Sequence, residues 1–212
     1  MLVVMAVLAA ACSGSGRDDK AVSTYPTGTV REWLLAVSGR DVPRLVDIVD
    51  QDSLTIILAI ENGIPAEDVE IMLVQGISQE TVADYWVSFA GGFGTYTGLA
   101  LDSVTVRGFE QFAIDETLFA HVEVGDELDP GTVFTRSYDG TWRIDLVATF
   151  GEALLPLLEA FASEIPAGDD GKRLRREVRE AVIPALLAVD SLKPADDRLG
   201  AEIGRLSVLL QP

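Results

Sequence analysis

Between Gly94 and Phe150 the apolar residues recur at every second position, whereas on both sides of that stretch they recur at every third or fourth. Alternation is the signature of strands with one buried face, and the longer spacing is that of amphipathic helices. A chain with strands in its middle and helices at both ends folds most simply with the helices laid against an antiparallel sheet, an α+β domain. The spacing predicts four strands: Leu99 to Arg107, Ala113 to Val124, Thr132 to Tyr138 and Thr141 to Val147. Asp139-Gly140 joins the last two as a two-residue hairpin, because both residue types tolerate positive φ. That turn places Ser137 opposite Trp142, Thr135 opposite Ile144 and Val133 opposite Leu146, giving one mostly apolar face. Phe134, Arg136 and Tyr138 then share the other face with Arg143, Asp145 and Val147, and Phe119, His121 and Glu123 alternate with apolar neighbours on the strand before.

Ahead of the strands, Thr29-Val30-Arg31-Glu32 has the spacing of a capping box, followed at helical intervals by Trp33, Leu34 and Val37 up to Ser38-Gly39. Asp41 is placed to cap a second helix with Pro43 in its first turn. Ser53 to Ile60 reads as a third, closed by Asn62-Gly63, and Pro65 and Ser78 open two more. The last of these carries Val82, Tyr85, Trp86 and Phe89 and is expected to break at Gly91-Gly92-Phe93-Gly94. After Phe150, three further apolar stripes are separated by Gly168-Asp169-Asp170-Gly171 and Lys193-Pro194. The expected organisation is therefore a helix-plus-sheet domain over 29–150 and carboxy-terminal helices over 151–212 packed on the same domain.

The composition suits a globular body: 212 residues, 48% hydrophobic and 24% charged, enough to bury a core. A formal net charge of -18 repels phosphate backbones and argues against nucleic acid as a partner. The single cysteine and single histidine exclude an intrachain disulfide, a multi-cysteine metal site and a two-histidine site.

That cysteine, Cys12, stands where an apolar run, Leu2 to Ala11, gives way to Ser13-Gly14-Ser15-Gly16-Arg17-Asp18-Asp19-Lys20. The run is about half the roughly 20 residues needed to cross a bilayer as a helix, and it fits the apolar region of a signal peptide over 1–11. The polar stretch after it is a flexible tether over 12–28. Leu8-Ala9-Ala10-Ala11-Cys12 resembles the lipobox of bacterial lipoproteins. It departs from the usual pattern in having Ala9 where that family prefers Leu, and in lacking a basic residue before the apolar run. The resemblance implies that the Cys12 thiol carries diacylglycerol, that cleavage falls just before it, and that the protein is lipid-anchored to the cell membrane, facing out of the cytoplasm.

In the body, the helix Val30 to Asp41 with its V-x-x-W-L-x-A pattern, together with the hairpin Tyr138-Asp139-Gly140-Thr141-Trp142-Arg143-Ile144-Asp145, resembles the nuclear transport factor 2-like superfamily, a fold found among actinobacterial lipoproteins. The resemblance covers roughly residues 29–150 and implies helices wrapped on a curved antiparallel sheet around a pocket. The helices after Phe150 depart from it.

Two kinds of chemistry deserve weighing. His121 with Glu123 or Asp145 has the composition of an acid/base pair, the set expected of a cyclase or isomerase of similar fold. The same residues also read as a solvated charge ladder, with His121 on the open side of the sheet. Trp33, Tyr85, Trp86 and Phe89 would rim an apolar cavity if the fold is a cone, and otherwise form core. No calcium-loop spacing, phosphate loop, nucleophile elbow or dinucleotide fingerprint is present, and no cofactor or metal is expected. Lys172-Arg173-Leu174-Arg175-Arg176 is the one basic cluster, and it reads as a solvated helix face. The leading expectation is a non-catalytic binding or accessory lipoprotein whose partners are the membrane, through Cys12, and an apolar small molecule or an envelope protein. A histidine enzyme and a structural, partner-docking protein are the alternatives.

Overall fold

The computed structural model describes residues 23–97, 100–125, 130–193 and 197–211. Cys12 with its leader and most of its tether, Leu99, the acidic run 126–129 and Pro194 lie outside the described residues. Among those described are nine α-helices and one four-stranded antiparallel sheet in the order β1-β2-β3-β4, so the domain is α+β. Five helices precede the sheet: α1 (Pro26–Gly39), α2 (Val42–Ile48), α3 (Gln51–Asn62), α4 (Ala66–Gln75) and α5 (Gln79–Thr97). The strands are β1 (Val106–Ile114), β2 (Thr117–Gly125), β3 (Pro130–Tyr138) and β4 (Thr141–Ile144). Four helices follow: α6 (Leu146–Phe150), α7 (Leu155–Glu164), α8 (Asp169–Asp190) and α9 (Asp197–Leu209).

Cross-strand pairing divides the sheet into two faces. Ala120, Val122, Val133, Thr135 and Ile144 point one way, and α1 crosses that side, burying Val30, Trp33, Leu34 and Val37. The Thr29 hydroxyl donates to the carbonyl of Trp142, tying α1 to β4. Phe119, Arg136 and Arg143 point the other way. This second face was expected to lie open, yet α6 and α8 cover it, and the Arg136 guanidinium donates to the Ala181 carbonyl of α8 at 2.8 Å. The strong apolar stripe of α8, with Leu174, Val178, Val182 and Leu186 all buried, needs a partner of this kind. Beyond β4 the chain at Val49 and Asp50 runs alongside as a short parallel bridge, and the amide of Asp50 donates to the Ile144 carbonyl at 2.9 Å. The sheet edge is thus occupied.

Local differences from the expected elements have identifiable causes. Thr29 and Glu32 form no capping box, because α1 starts earlier, at Pro26 after Tyr25, and Thr29 lies inside it; Glu32 pairs instead with Arg44. Asp41 does cap α2, accepting from the amide of Arg44 at 3.2 Å. The Gly91-Gly92-Phe93-Gly94 stretch continues α5: Phe93 stacks on Phe89, Phe89 packs on Phe150, and the Thr95 hydroxyl donates to the Gly91 carbonyl. Aromatic burial there outweighs the roughly 1 kcal/mol that each glycine costs a helix.

The strand predicted at 99–107 is instead β1 at Val106–Ile114, preceded by a single 3-10 turn at Leu101–Ser103. An extra residue bulges out between Val106 and Phe109, and most of β1 faces solvent, which blurs its alternation. The hairpin to β2 turns at Asp115-Glu116, with Asp115 at φ 51°, a turn without the usual glycine. β4 ends at Ile144 and not at Val147, because the Asp145 side chain accepts from the amide of Ala148 and starts α6. In the β3–β4 hairpin, by contrast, Asp139 at φ 50° and Gly140 at φ 81° make the expected turn, and Thr135 pairs with Ile144 and Ser137 with Trp142. Gly140→Ala should destabilise the fold by about 1–2 kcal/mol, the cost of placing a Cβ in the left-handed region, while Asp139→Asn should be close to neutral. Urea unfolding of the two variants beside wild type measures the difference.

Candidate functional site

Three places concentrate chemistry. The first is the charged network where β3 and β4 meet the helices. Asp145 is fully buried and Arg136 nearly so, with a guanidinium nitrogen 2.8 Å from a carboxylate oxygen. The other Asp145 oxygen caps α6 through the amide of Ala148 at 2.8 Å, and the Arg136 guanidinium lies over the Phe119 ring at 4.9 Å. Asp50 completes the set: one oxygen accepts from the amides of Asp52 and Ser53 and caps α3, and the other accepts from the Tyr138 hydroxyl. Ser53 in turn accepts from the amide of Leu146 at 3.1 Å. Each charged group is held by partners on two or more elements, which is the condition for a buried pair to be tolerated.

Burial pushes the carboxyl of Asp145 up to about 6, with Arg136 pulling against it and Asp50 adding to it. Burial, Asp50 and Glu177 raise Asp52, while Arg136 and Arg143 oppose them. The Tyr138 hydroxyl is held protonated by burial and by the charge of Asp50. These are the perturbations of a structural junction: Asp145 is held by a helix cap and by Arg136, and Tyr138 by Asp50.

The second place is His121. Its ring lies beside Phe112, and its Nε2 is 3.3 Å from a carboxylate oxygen of Glu110 on the adjacent strand. The carboxylate neighbour is therefore neither Glu123, which is exposed on the same strand, nor Asp145, which is held by Arg136. The histidine side chain is only 17% exposed while Glu110 is 77% exposed, so the pair straddles the rim of the sheet instead of facing fully outward as expected.

The third place holds the aromatic residues. Trp33 and Trp86 are both 2% exposed and meet edge to face at 6.0 Å, with Phe89 5.4 Å from Trp86 and 5.7 Å from Trp33. They join α1 to α5 as core. Tyr85 and Phe89 differ: they pack on Trp86 from one side, and on the other they wall a cleft of about 490 Å³ between α3 and α5. The wall residues follow from helical spacing. Leu58, Glu61 and Asn62 lie on one side of α3; Thr81, Asp84, Tyr85, Ser88 and Phe89 face them from α5; Ile64 closes an end. Burial raises Glu61 above the ordinary glutamate range, and burial together with the charge of Glu61 raises Tyr85.

Sequence reasoning had brought out Tyr85 and Phe89 but not Glu61 or Asp84. Their positions, three residues from Leu58 and four from Ser88, carry a signal only once α3 and α5 are known to face each other. Nor had it singled out Arg136 with Asp145 as a buried pair. Among the described residues no group of three or more His, Cys, Asp or Glu is arranged to hold a metal ion. Protein-family models, curated proteins and solved structures all fail to match the chain.

Two measurements test the network. Asp145→Asn keeps a cap acceptor but leaves Arg136 buried and unpaired, so it should cost about 3–5 kcal/mol, and Arg136→Met should cost a similar amount. The double variant should cost clearly less than the sum, as urea unfolding of all four proteins would show. Carbon-detected NMR of the folded protein should show Asp145 titrating near 6 and not near 3.8.

Proposed function

We propose that the chain is a lipid-anchored, extracytoplasmic binding or accessory protein without catalytic chemistry, tethered through Cys12 and presenting the cleft between α3 and α5 to a ligand. The cleft is the observation that carries the reading. It falls within the size range of small-molecule sites, combines apolar walls (Leu58, Ile64, Tyr85, Phe89) with a few polar groups, and is built on two helices fixed to the core. Support for the anchor comes from Leu8-Ala9-Ala10-Ala11-Cys12 and the Ser/Gly tether after it. Among the described residues the first to join the hydrophobic core is Val30. No helix of the described residues is long and apolar enough to cross a membrane. Several acyl chains, at roughly 0.8 kcal/mol per buried CH2, hold a protein stably where one chain is marginal.

The enzyme reading is weaker. An acid/base pair works best where water is excluded and a substrate is enclosed, and His121 with Glu110 sits at an exposed rim.

Cys12→Ala tests the anchor. The wild type should partition with the membrane and carry a diacylglycerol mass increment, and the variant should stay as uncleaved precursor or appear in the soluble fraction. Its circular dichroism and melting should match those of wild type. Membrane association without an acyl increment on the wild-type protein would overturn the lipoprotein reading.

A further inference from the structure

The cleft between α3 and α5 differs from the rest of the acidic surface in one respect: its charge is set against aromatic rings. Glu61 of α3 and Asp84 of α5 line it together with Tyr85 and Phe89. Some carboxylates elsewhere on this body are paired with cations: Glu32 with Arg44, Glu70 with Arg173, Glu159 with Arg205. Among the described residues neither Glu61 nor Asp84 has a cation within ion-pair distance, and no Lys or Arg lines the cleft. Burial is the only influence that moves Glu61, which agrees with the lack of a cationic neighbour. A partly desolvated carboxylate without a counter-charge is held at a cost that an arriving cation would remove.

We infer that the cleft binds a small organic cation: an ammonium group on an apolar body, with Glu61 and Asp84 as counter-charges and the rings of Tyr85 and Phe89 as its seat. Each part of the ligand has a matching part of the site. The positive head lies between two carboxylates and over aromatic faces, an arrangement whose two attractions reinforce each other when water is partly excluded. The apolar body meets Leu58, Ile64 and Phe89. An anion is opposed twice, by the local carboxylates and by a net charge of -18, which also draws cations toward the surface. A neutral apolar molecule would leave Glu61 desolvated without compensation. The inference rests on the cleft being a ligand site, as proposed above, and adds the charge of what it takes.

Benzyltrimethylammonium is a suitable probe, with benzyl alcohol and benzenesulfonate as uncharged and anionic counterparts, titrated into the full-length protein by calorimetry and followed by the fluorescence of Trp86, whose ring is 4.8 Å from that of Tyr85. The cation should bind saturably at one site and shift the emission, and the two counterparts should bind at least tenfold more weakly. Glu61→Gln and Asp84→Asn should each weaken the cation about fivefold or more, and together they should abolish saturable binding while the melting temperature stays unchanged. Tyr85→Leu should weaken it without altering any charge. Benzyl alcohol binding as well as the cation would overturn the inference about charge and leave the cleft as an apolar site. Saturable binding of none of the three would overturn the cleft as a small-molecule site as well. Cation binding that survives the double variant would show diffuse attraction to the whole acidic surface and would likewise overturn the assignment.

Discussion

The packing of this domain depends on a charge that has nowhere else to go. Asp145 ends β4, starts α6 and neutralises Arg136, and the guanidinium of Arg136 reaches α8 through the Ala181 carbonyl. A lone carboxylate or guanidinium in that position would cost far more than either gains from packing, so strand, cap and long helix have to arrive together. Asp50 does the same on the neighbouring side, holding the first turn of α3 and the hydroxyl of Tyr138 at once. Two aspartates thereby connect the sheet to the helices before it and after it. This is why the carboxy-terminal helices belong to the same core as residues 29–150.

That constraint also explains which parts of the fold could be read from the chain. Periodicity identified the helix–sheet–helix order and most helices, because burying one face is a local demand written into spacing. The Asp139-Gly140 turn fixed the pairing of Thr135 with Ile144, because a two-residue loop leaves one register. What spacing could not convey was the second covering layer. Arg136, Arg143 and Asp145 in alternation describe equally well a wet face and a buried network, and only the reach of α8 separates the two. Edge strand β1 failed for a related reason: exposed on much of its length and bulged, it has little apolar alternation to read. At Gly91-Gly92-Phe93-Gly94 local propensity pointed to a break, and the contacts of Phe89 and Phe93 overrode it.

The candidate site was half legible for the same physical reason. Tyr85, Trp86 and Phe89 were recognisable as an aromatic helix face, but one face of an α-helix spans more than one environment. Trp86 points into the core with Trp33, whereas Tyr85 and Phe89 stand at its margin and so meet α3 across a cleft. The carboxylates of that cleft were invisible among so many acidic residues. With 34 Asp and Glu against 16 Lys and Arg, lacking a salt bridge is the ordinary condition of an acid in this protein. Glu61 becomes informative only when it is found lining the same cleft as Tyr85 and Phe89.

The placement of the cleft follows from how the sheet is covered. A helix-wrapped sheet leaves room for a ligand between its layers only where side chains fail to fill that space. Here α1 fills one side with Val30, Trp33, Leu34 and Val37, α6 and α8 cover the other, and Leu174, Val178 and Val182 of α8 are buried. Interior volume is therefore taken up by core, as close packing of large apolar residues requires. Space remains where α3, buried on all sides from Ser53 to Ile60, emerges at Glu61 and Asn62 beside α5, which buries Val82 and Trp86, and between them runs a trough that neither can close. A site formed in this way is open on one side, is reached without unfolding any element, and takes its charge from residues that the core does not constrain. Glu61 and Asp84 occupy such exposed positions, so they can change without disturbing packing.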